Sequence, residues 1–363
     1  MDRKYMERAI ELARKGIGRT NPNPRVGAVI VKDNRIIGEG YHEQYGGLHA
    51  ERNAIASLTE SAEGAEIYVT LEPCCHYGKT PPCTQAIIEN KISRVIIGSR
   101  DPNPLVSGKG AEQLRQAGIE VVQDYMKEEC DELNPVFFHY ISTGMPYVVM
   151  KYAMTADGKI ATRTGASKWI TGESSRKLVQ DMRNEYMGIM AGIGTVLADD
   201  PLLTVRDPDL RSPVRIICDS DLRLPENSKI CETAEEYRTI VACAAGNSRK
   251  AEVLRKKGIE IVEVPDGKGR VDLEALMKYI GEQKIDSVLV EGGGGLNYSV
   301  LQAGMAQKIY MFVAPKIFGG SAVKTPVEGE GIAFPDEAVR LKTESVKQID
   351  EDLLIEYTCL RRN

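Results

Sequence analysis

EIYVTLEPCCHYGKTPPCTQAIIEN, residues 66–90, decides how the first half of the chain folds. EIYVTLE reads as a buried strand and residues 83–90 as a helix, with a Gly/Pro-rich loop holding three cysteines between them. A strand feeding a helix through a loop is one step of α/β alternation. The same alternation continues on both sides. Upstream, VGAVIVK (26–32) and RIIGEGY (35–41) read as strands joined by a turn at Asp33-Asn34, followed by a helix from Ala50 to Leu58. Further upstream, Tyr5, Met6, Ala9, Ile10 and Ala13 recur at helical intervals within residues 2–16. Downstream come a strand at 93–98, a helix at 110–117, a short strand at 119–122 and a helical stretch over 125–141. This order predicts a largely parallel sheet covered on both faces, opened by an antiparallel hairpin, with ligands outside the carboxyl ends of its strands.

STGMP (142–146) breaks the pattern and places a domain boundary, giving domains 1–144 and 145–363. The second domain opens on the strand PYVVMKYAM. Further strands are expected at 187–191, 213–218, 238–243, 259–264, 286–291 and 307–313, with helices between several of them and more strand over 340–358. A chain of 363 residues suits two domains, each large enough to bury a core without disulfides. With 42% hydrophobic and 27% charged residues it is neither disordered nor collagen-like. Its net charge is −5, from 47 Lys+Arg against 52 Asp+Glu, which argues against a nucleic-acid partner. No run approaches the ~20 apolar residues of a membrane span. The N-terminal segment reads as an amphipathic helix rather than a signal peptide, so a cytoplasmic location with reduced cysteines is expected. A homo-oligomer binding a small phosphorylated ligand, with no membrane partner, completes the expectation.

His49-Ala50-Glu51 stands at a helix start, and Pro73-Cys74-Cys75 and Cys83 follow downstream. His49, Cys74 and Cys83 supply three protein ligands, the set of a catalytic zinc with a fourth position open. Cys75 is an alternative ligand, but the Pro-Cys pair favours Cys74. Such a metal lowers the pKa of water toward neutrality. Glu51, two residues from His49, is then the catalytic proton carrier for hydrolysis of an amino group from an amidine-type ring carbon. The His-x-Glu…Pro-Cys…Cys pattern is that of zinc nucleobase deaminases, with eight residues between the cysteines where two are usual. The competing reading is a buried Glu and His with reduced structural cysteines.

CCHYGKTPPC (74–83), TNPNPRVGAV (20–29) and the Asp101-Pro-Asn-Pro loop carry a resemblance to the bifunctional riboflavin-biosynthesis deaminase–reductases. It covers nearly the whole chain. The resemblance implies an N-terminal cytidine-deaminase-like α/β/α sandwich with a mixed sheet and a C-terminal dihydrofolate-reductase-like α/β domain. It implies removal of the 2-amino group of 2,5-diamino-6-ribosylamino-4(3H)-pyrimidinone 5′-phosphate, with Asn23, His42, His76, Lys79, Asp101 and Asn103 as substrate contacts. Lys79, in the metal loop, suits a phosphate.

In the second half, SVLVEGGGGLNYSVLQAG (287–304) runs from a strand through four glycines into a helix, a phosphate cradle of bare N–H groups. It is not a G-x-G-x-x-G fingerprint. Histidines occur only at 42, 49, 76 and 139, so chemistry after Pro146 proceeds without one. Tyr147 and Lys151 copy the spacing of a short-chain dehydrogenase pair, but that pair needs a helix. A strand separates them by about 13 Å. KYAMTADGKIA (151–161), SKWITG (167–172) and residues 181–206 resemble the family's reductase half. By that resemblance NADPH is the reductant. It meets Ala153, Trp169, Thr195, Asp199, Ser220 and the loop Gly293, Gly294 and Gly295, while the substrate meets Lys151, Ser167, Arg183, Leu203, Arg206 and Glu291. Arg183 and Arg206 suit a phosphate fork, and Trp169, the only Trp, suits packing on the nicotinamide or ribose. The rival readings are a tRNA-type deaminase with an unrelated oxidoreductase appended and a structural zinc module on a nucleotide sensor.

Overall fold

A computed structural model describes residues 1–77, 81–103, 106–246 and 248–360. The chain divides into two compact units, Met1–Gly144 and Met145–Asn363.

The first unit runs α1 (Arg3–Arg14), β1 (Gly27–Lys32), β2 (Arg35–Tyr41), α2 (Ala50–Ala56), β3 (Glu66–Leu71), α3 (Cys83–Glu89), β4 (Arg94–Ser99), α4 (Lys109–Gln116), β5 (Glu120–Val122), α5 (Lys127–Asp131) and α6 (Pro135–Thr143). The sheet order is β2-β1-β3-β4-β5, antiparallel around β1 and parallel from β3 to β5. Asp33 and Asn34 both hold positive φ, as a two-residue hairpin turn requires. Alternate strand residues feed two cores. Ala28, Ile30, Ile67 and Val69 pack under α2, α3 and α4, whereas Val29, Val31, Tyr68 and Ile96 pack under α1. Gly40 lets α2 lie against bare backbone: a Cβ there would stand 2.4 Å from the Ala54 nitrogen. The expected single helical stretch over 125–141 is instead α5 and α6, broken at Asn134-Pro135. Proline has no N–H to continue a helix, and the Asn134 side chain brackets the Arg25 backbone, accepting at 2.7 Å and donating at 2.9 Å.

The second unit runs β6 (Tyr147–Thr155), α7 (Glu173–Glu185), β7 (Gly188–Gly192), α8 (Ile193–Asp199), β8 (Val214–Cys218), α9 (Lys229–Glu232), β9 (Thr239–Cys243), α10 (Arg249–Lys256), β10 (Ile259–Glu263), α11 (Leu273–Glu282), β11 (Ser287–Val290), α12 (Gly294–Gln302), β12 (Ala306–Ala314), β13 (Leu341–Ile349) and β14 (Asp352–Cys359). Its nine-stranded sheet has the order β10-β9-β8-β7-β11-β6-β12-β14-β13, parallel through β12 and antiparallel beyond. One face packs α8, α9 and α10 on Ile189, Ile217 and Val241, and the other packs α11 and α12 on Met190, Ile216 and Val288. The carboxyl end of β7 runs into α8, which carries Thr195 in its first turn, and that of β11 runs into Glu291-Gly292.

Candidate active sites

His49 immediately precedes α2, Cys74 follows β3, and Cys83 is the first residue of α3. Two strand–helix connections thereby bring three donors to one point. His49 Nδ1 lies 3.5 Å from Cys74 Sγ and 3.4 Å from Cys83 Sγ. Tetrahedral zinc with Zn–S of about 2.3 Å and Zn–N of about 2.05 Å has N···S edges of about 3.5 Å, so the trio fits that ion. The Cys83 thiol donating to Cys74, with the His49 ring beside it, favours Cys74 as a thiolate, and the Cys83 backbone N–H points at the same sulfur at 3.4 Å. Cys75 lies outside this cluster.

Glu51, in the first turn of α2, is buried over a cavity of about 270 Å³ that Asn23, His42, His49, Cys74, His76, Asp101 and Asn103 also line. Burial pushes its carboxyl up, and the Cys74 charge pushes the same way. His42 Nδ1 donates to the Leu48 carbonyl at 2.9 Å, leaving Nε2 to accept from Asn23 Nδ2 at 3.2 Å. Burial lowers the His42 pKa, in keeping with that neutral ring. Asp101 is pushed up to about 6 by burial, against the Asn103 N–H that donates to it. Lys79 lies outside the described residues.

Sequence reading missed two positioning groups here. Arg52 donates to the carbonyls of Pro81 and Pro82 at 3.0 and 2.9 Å, pinning the segment that delivers Cys83. Buried Glu72 accepts from the N–H groups of Gly108 and Ala111 at α4, tying the strand end before Cys74 to the loop that follows Asp101. The Glu-Pro-Cys sequence was the available signal for Glu72.

In the second unit a cavity of about 700 Å³ is lined by Ser167, Thr195, Asp199, Gly293, Gly294 and Gly295, together with Arg163, Lys324 and Glu328. Ser167 donates to Asp199 at 3.1 Å. The three loop glycines are not equivalent. A Cβ on Gly295 would meet nothing within 4 Å, and one on Gly293 would only touch Thr195 Oγ1 at 3.4 Å. On Gly294 it would stand 2.5 Å from Glu328 Cγ and 2.7 Å from the Thr325 carbonyl. The backbone at the start of α12 is therefore open at Gly293 and Gly295, whereas Gly294 carries the 325–328 segment, whose Glu328 N–H donates to the Gly294 carbonyl. Open backbone at a helix N-terminus, beside a cavity of this size, fits a dinucleotide phosphate.

Glu291 joins Lys151 at 2.6 Å and the Arg183 Nε at 2.6 Å, all three largely buried. Burial would raise the Glu291 pKa, but Arg183 and Lys151 overcome it and hold the carboxyl to about 2. Arg183 also donates to the Thr204 carbonyl at 3.0 Å, so the fork expected on a phosphate rests here on protein oxygens. Leu203 is buried, while Arg206 is exposed with its guanidinium 6.0 Å from the Trp169 ring. Trp169 is 56% exposed, not a core residue, and Arg176 stacks on it at 4.6 Å. Ala153, Trp169 and Ser220 are not among the residues lining the cavity. Ala153 lies within β6, and Ser220 accepts from the Val271 N–H.

No helix among the described residues is long and apolar enough to cross a membrane. Residues 1–99 match the cytidine and deoxycytidylate deaminase zinc-binding region, and residues 146–355 match the RibD C-terminal domain. The riboflavin biosynthesis protein RibD of Actinobacillus pleuropneumoniae is 55% identical, over 99% of this chain and 96% of that protein. Among solved structures, RibD of Acinetobacter baumannii superposes with a TM-score of 0.89 at 38% identity, over 99% of this chain and 98% of that one. The diaminohydroxyphosphoribosylaminopyrimidine deaminase/5-amino-6-(5-phosphoribosylamino)uracil reductase of Thermotoga maritima superposes with a TM-score of 0.88 at 42% identity, over 98% of each chain.

Proposed function

From the premise that the chain belongs to the RibD family of riboflavin biosynthesis proteins, we propose how its two units divide the chemistry. The protein is a bifunctional deaminase–reductase with zinc and NADPH as cofactors, joining a cytidine-deaminase-like fold to a dihydrofolate-reductase-like one. Residues 1–144 deaminate 2,5-diamino-6-ribosylamino-4(3H)-pyrimidinone 5′-phosphate to 5-amino-6-ribosylaminouracil 5′-phosphate. Residues 145–363 reduce the ribosyl side chain of that product to ribityl.

In the first unit His49, Cys74 and Cys83 hold zinc, which when bound supplies a Lewis acid and lowers the pKa of water. Glu51 takes a proton from the attacking water, delivers it to the ring nitrogen and passes the second to the departing ammonia. Asn23, with its amide nitrogen turned to His42, keeps its oxygen for an N–H of the ring. Asp101, Asn103 and His76 complete the walls, and Lys79 serves the phosphate. In the second unit Gly293 and Gly295 receive the cofactor phosphates, with Thr195, Asp199, Ala153, Trp169 and Ser220 as further contacts; NADPH when bound supplies the hydride. Lys151 and Glu291 orient the sugar. Leu203, Arg206 and Ser167 hold the rest of the substrate, and Arg183 keeps Glu291 in place. A homo-oligomer in the cytoplasm, with no nucleic-acid partner, is the accompanying proposal, supported on the last point by the acidic charge balance.

The observation that carries the reading is the cluster of His49, Cys74 and Cys83, two of which, His49 and Cys74, line one cavity with Glu51. The test is incubation of the full chain with the diaminopyrimidinone nucleotide, zinc and NADPH, following ammonia and NADPH separately. Ammonia release must precede or accompany NADPH oxidation. NADPH oxidation without ammonia release would overturn the assigned order of substrates.

A further inference from the structure

Arg215, on β8, is 0% exposed, and no carboxylate among the described residues lies within ion-pair distance of it. Burial lowers its pKa to about 10, which still leaves it charged at neutral pH. A buried unpaired cation is costly, and the chain offsets that cost with oxygen acceptors and with the Tyr237 ring, whose centroid lies 5.4 Å from the guanidinium. Nε donates to Thr239 Oγ1 at 2.9 Å, and Nη1 donates to Thr233 Oγ1 at 2.7 Å and to the Leu202 carbonyl at 3.3 Å. Nη2 donates to the carbonyls of Ile230, Thr233 and Tyr237 at 3.0–3.1 Å. All five N–H donors of the guanidinium are thus engaged.

The contact with Leu202 is the informative one. Two residues on, the Thr204 carbonyl accepts from Arg183, the partner of Glu291. Leu203, between the two guanidinium-held carbonyls, has φ +57°, a left-handed conformation that leucine rarely adopts, and is buried in the core cluster that also holds Ile189, Ile217 and Ile230. Two buried cations from different elements therefore over-determine a segment that would otherwise relax. That segment leads directly to Arg206.

We propose that Arg215 is a positioning residue of the reductase: it fixes residues 202–206 so that Leu203 and Arg206 meet the pyrimidine substrate and Arg183 stays on Glu291. The proposal rests on the reading above that this segment contacts substrate.

Arg215→Lys keeps the charge but offers one nitrogen, which cannot serve Leu202 and Thr239 together. In the full-length holoenzyme, kcat/KM for the ribosylaminouracil phosphate should fall about tenfold to 100-fold, chiefly through KM. KM for NADPH should stay within about twofold, and ammonia release should be unchanged. A merely structural role would reduce the active fraction, lowering kcat and leaving the pyrimidine KM unmoved; that outcome overturns the proposal. If Arg215→Lys fails to fold, Thr233→Val removes the 2.7 Å acceptor at nearly constant shape. It should raise the same KM by about twofold to fivefold, and an unmoved KM in folded Thr233→Val overturns the proposal equally. Arg206→Ala separates the two levels. An unmoved pyrimidine KM in Arg206→Ala removes the substrate reading itself, whereas a raised KM there beside a normal one in Arg215→Lys removes only the role of Arg215.

Discussion

In the first unit the reactive groups are side chains: an imidazole, two thiols and a carboxylate, delivered by the starts of α2 and α3 and by the strand end between them. In the second, the cofactor cradle proposed above is mostly the absence of side chains, bare backbone at Gly293 and Gly295 beside one glycine that another segment fills. The two kinds of site fail differently. A side-chain site breaks when chemistry changes at constant shape, and a backbone site breaks when volume is added at constant chemistry.

The largest expected effects lie in the first unit. Cys74→Ser or Cys83→Ser should strip zinc and abolish ammonia release, while Cys75→Ser keeps its metal; metal analysis of the three purified variants decides the ligand set. Glu51→Gln retains zinc, yet deamination should fall by roughly 10²–10⁴-fold, as loss of general acid–base catalysis requires. The same variant should still oxidise NADPH when given the deaminated pyrimidine. A near-normal deamination rate would falsify the proton-carrier role.

The glycine pair sharpens the other side of the comparison. Gly295→Ala should leave thermal unfolding unchanged and weaken NADPH binding by about tenfold, or about 1.4 kcal/mol. Gly294→Ala must displace Glu328 and the Thr325 carbonyl, so it should destabilise the second unit by about 1–3 kcal/mol. Calorimetry and cofactor titration on both variants test this, and wild-type affinity in Gly295→Ala would remove that glycine from the cradle.

The most gradual effect is a pH slope, opposite in sign in the two units. Asp101 has its folded pKa raised to about 6 from 3.8, so its protonated form favours the native state. The stability it contributes is fully present below about pH 4 and is lost as pH rises to about 6, by at most about 1.4 kcal/mol per pH unit. Asp101→Asn should therefore be more stable than wild type above pH 6 and equal to it near pH 4, read by hydrogen exchange of the first unit. Glu291 has its folded pKa lowered to about 2 from 4.5. Its contribution is present above about pH 4.5 and is lost as pH falls toward 2. The chain has one Trp, Trp169, so fluorescence reports this second transition alone. Acid sensitivity unchanged in Glu291→Gln would show that the Lys151 and Arg183 pairs do not set it.

How much of this was legible in the sequence follows from what each feature depends on. The hairpin at Asp33-Asn34, the strand–helix alternation and the zinc donors rest on local chemistry, and local chemistry is written in consecutive residues. The break between α5 and α6 was written there too, in Asn134-Pro135, but the apolar periodicity of 125–141 masked it. Sheet order was not legible, because which strand lies beside β7 is settled by packing between distant segments. The four-glycine run signalled close approach without saying of what: open space at Gly293 and Gly295, the chain's own Glu328 at Gly294. The burial of Arg215 inside the strand expected at 213–218 was not legible, since burial of a cation is a property of the finished core.

The placement of β6 has a consequence for how the protein is made. The first unit is complete in the first 144 residues, so it can finish folding while the rest is still being synthesised. In the second unit the first strand made, β6, lies between β11 and β12, with Tyr147 opposite Ser287 and Ala153 opposite Phe312. That strand emerges early and must wait for partners translated near the end, a long-range parallel closure of the kind that folds slowly. Until then the apolar row Val148, Val149 and Met150 has no neighbours in its sheet, which makes the interval between its synthesis and that of β11 the time of greatest exposure to aggregation.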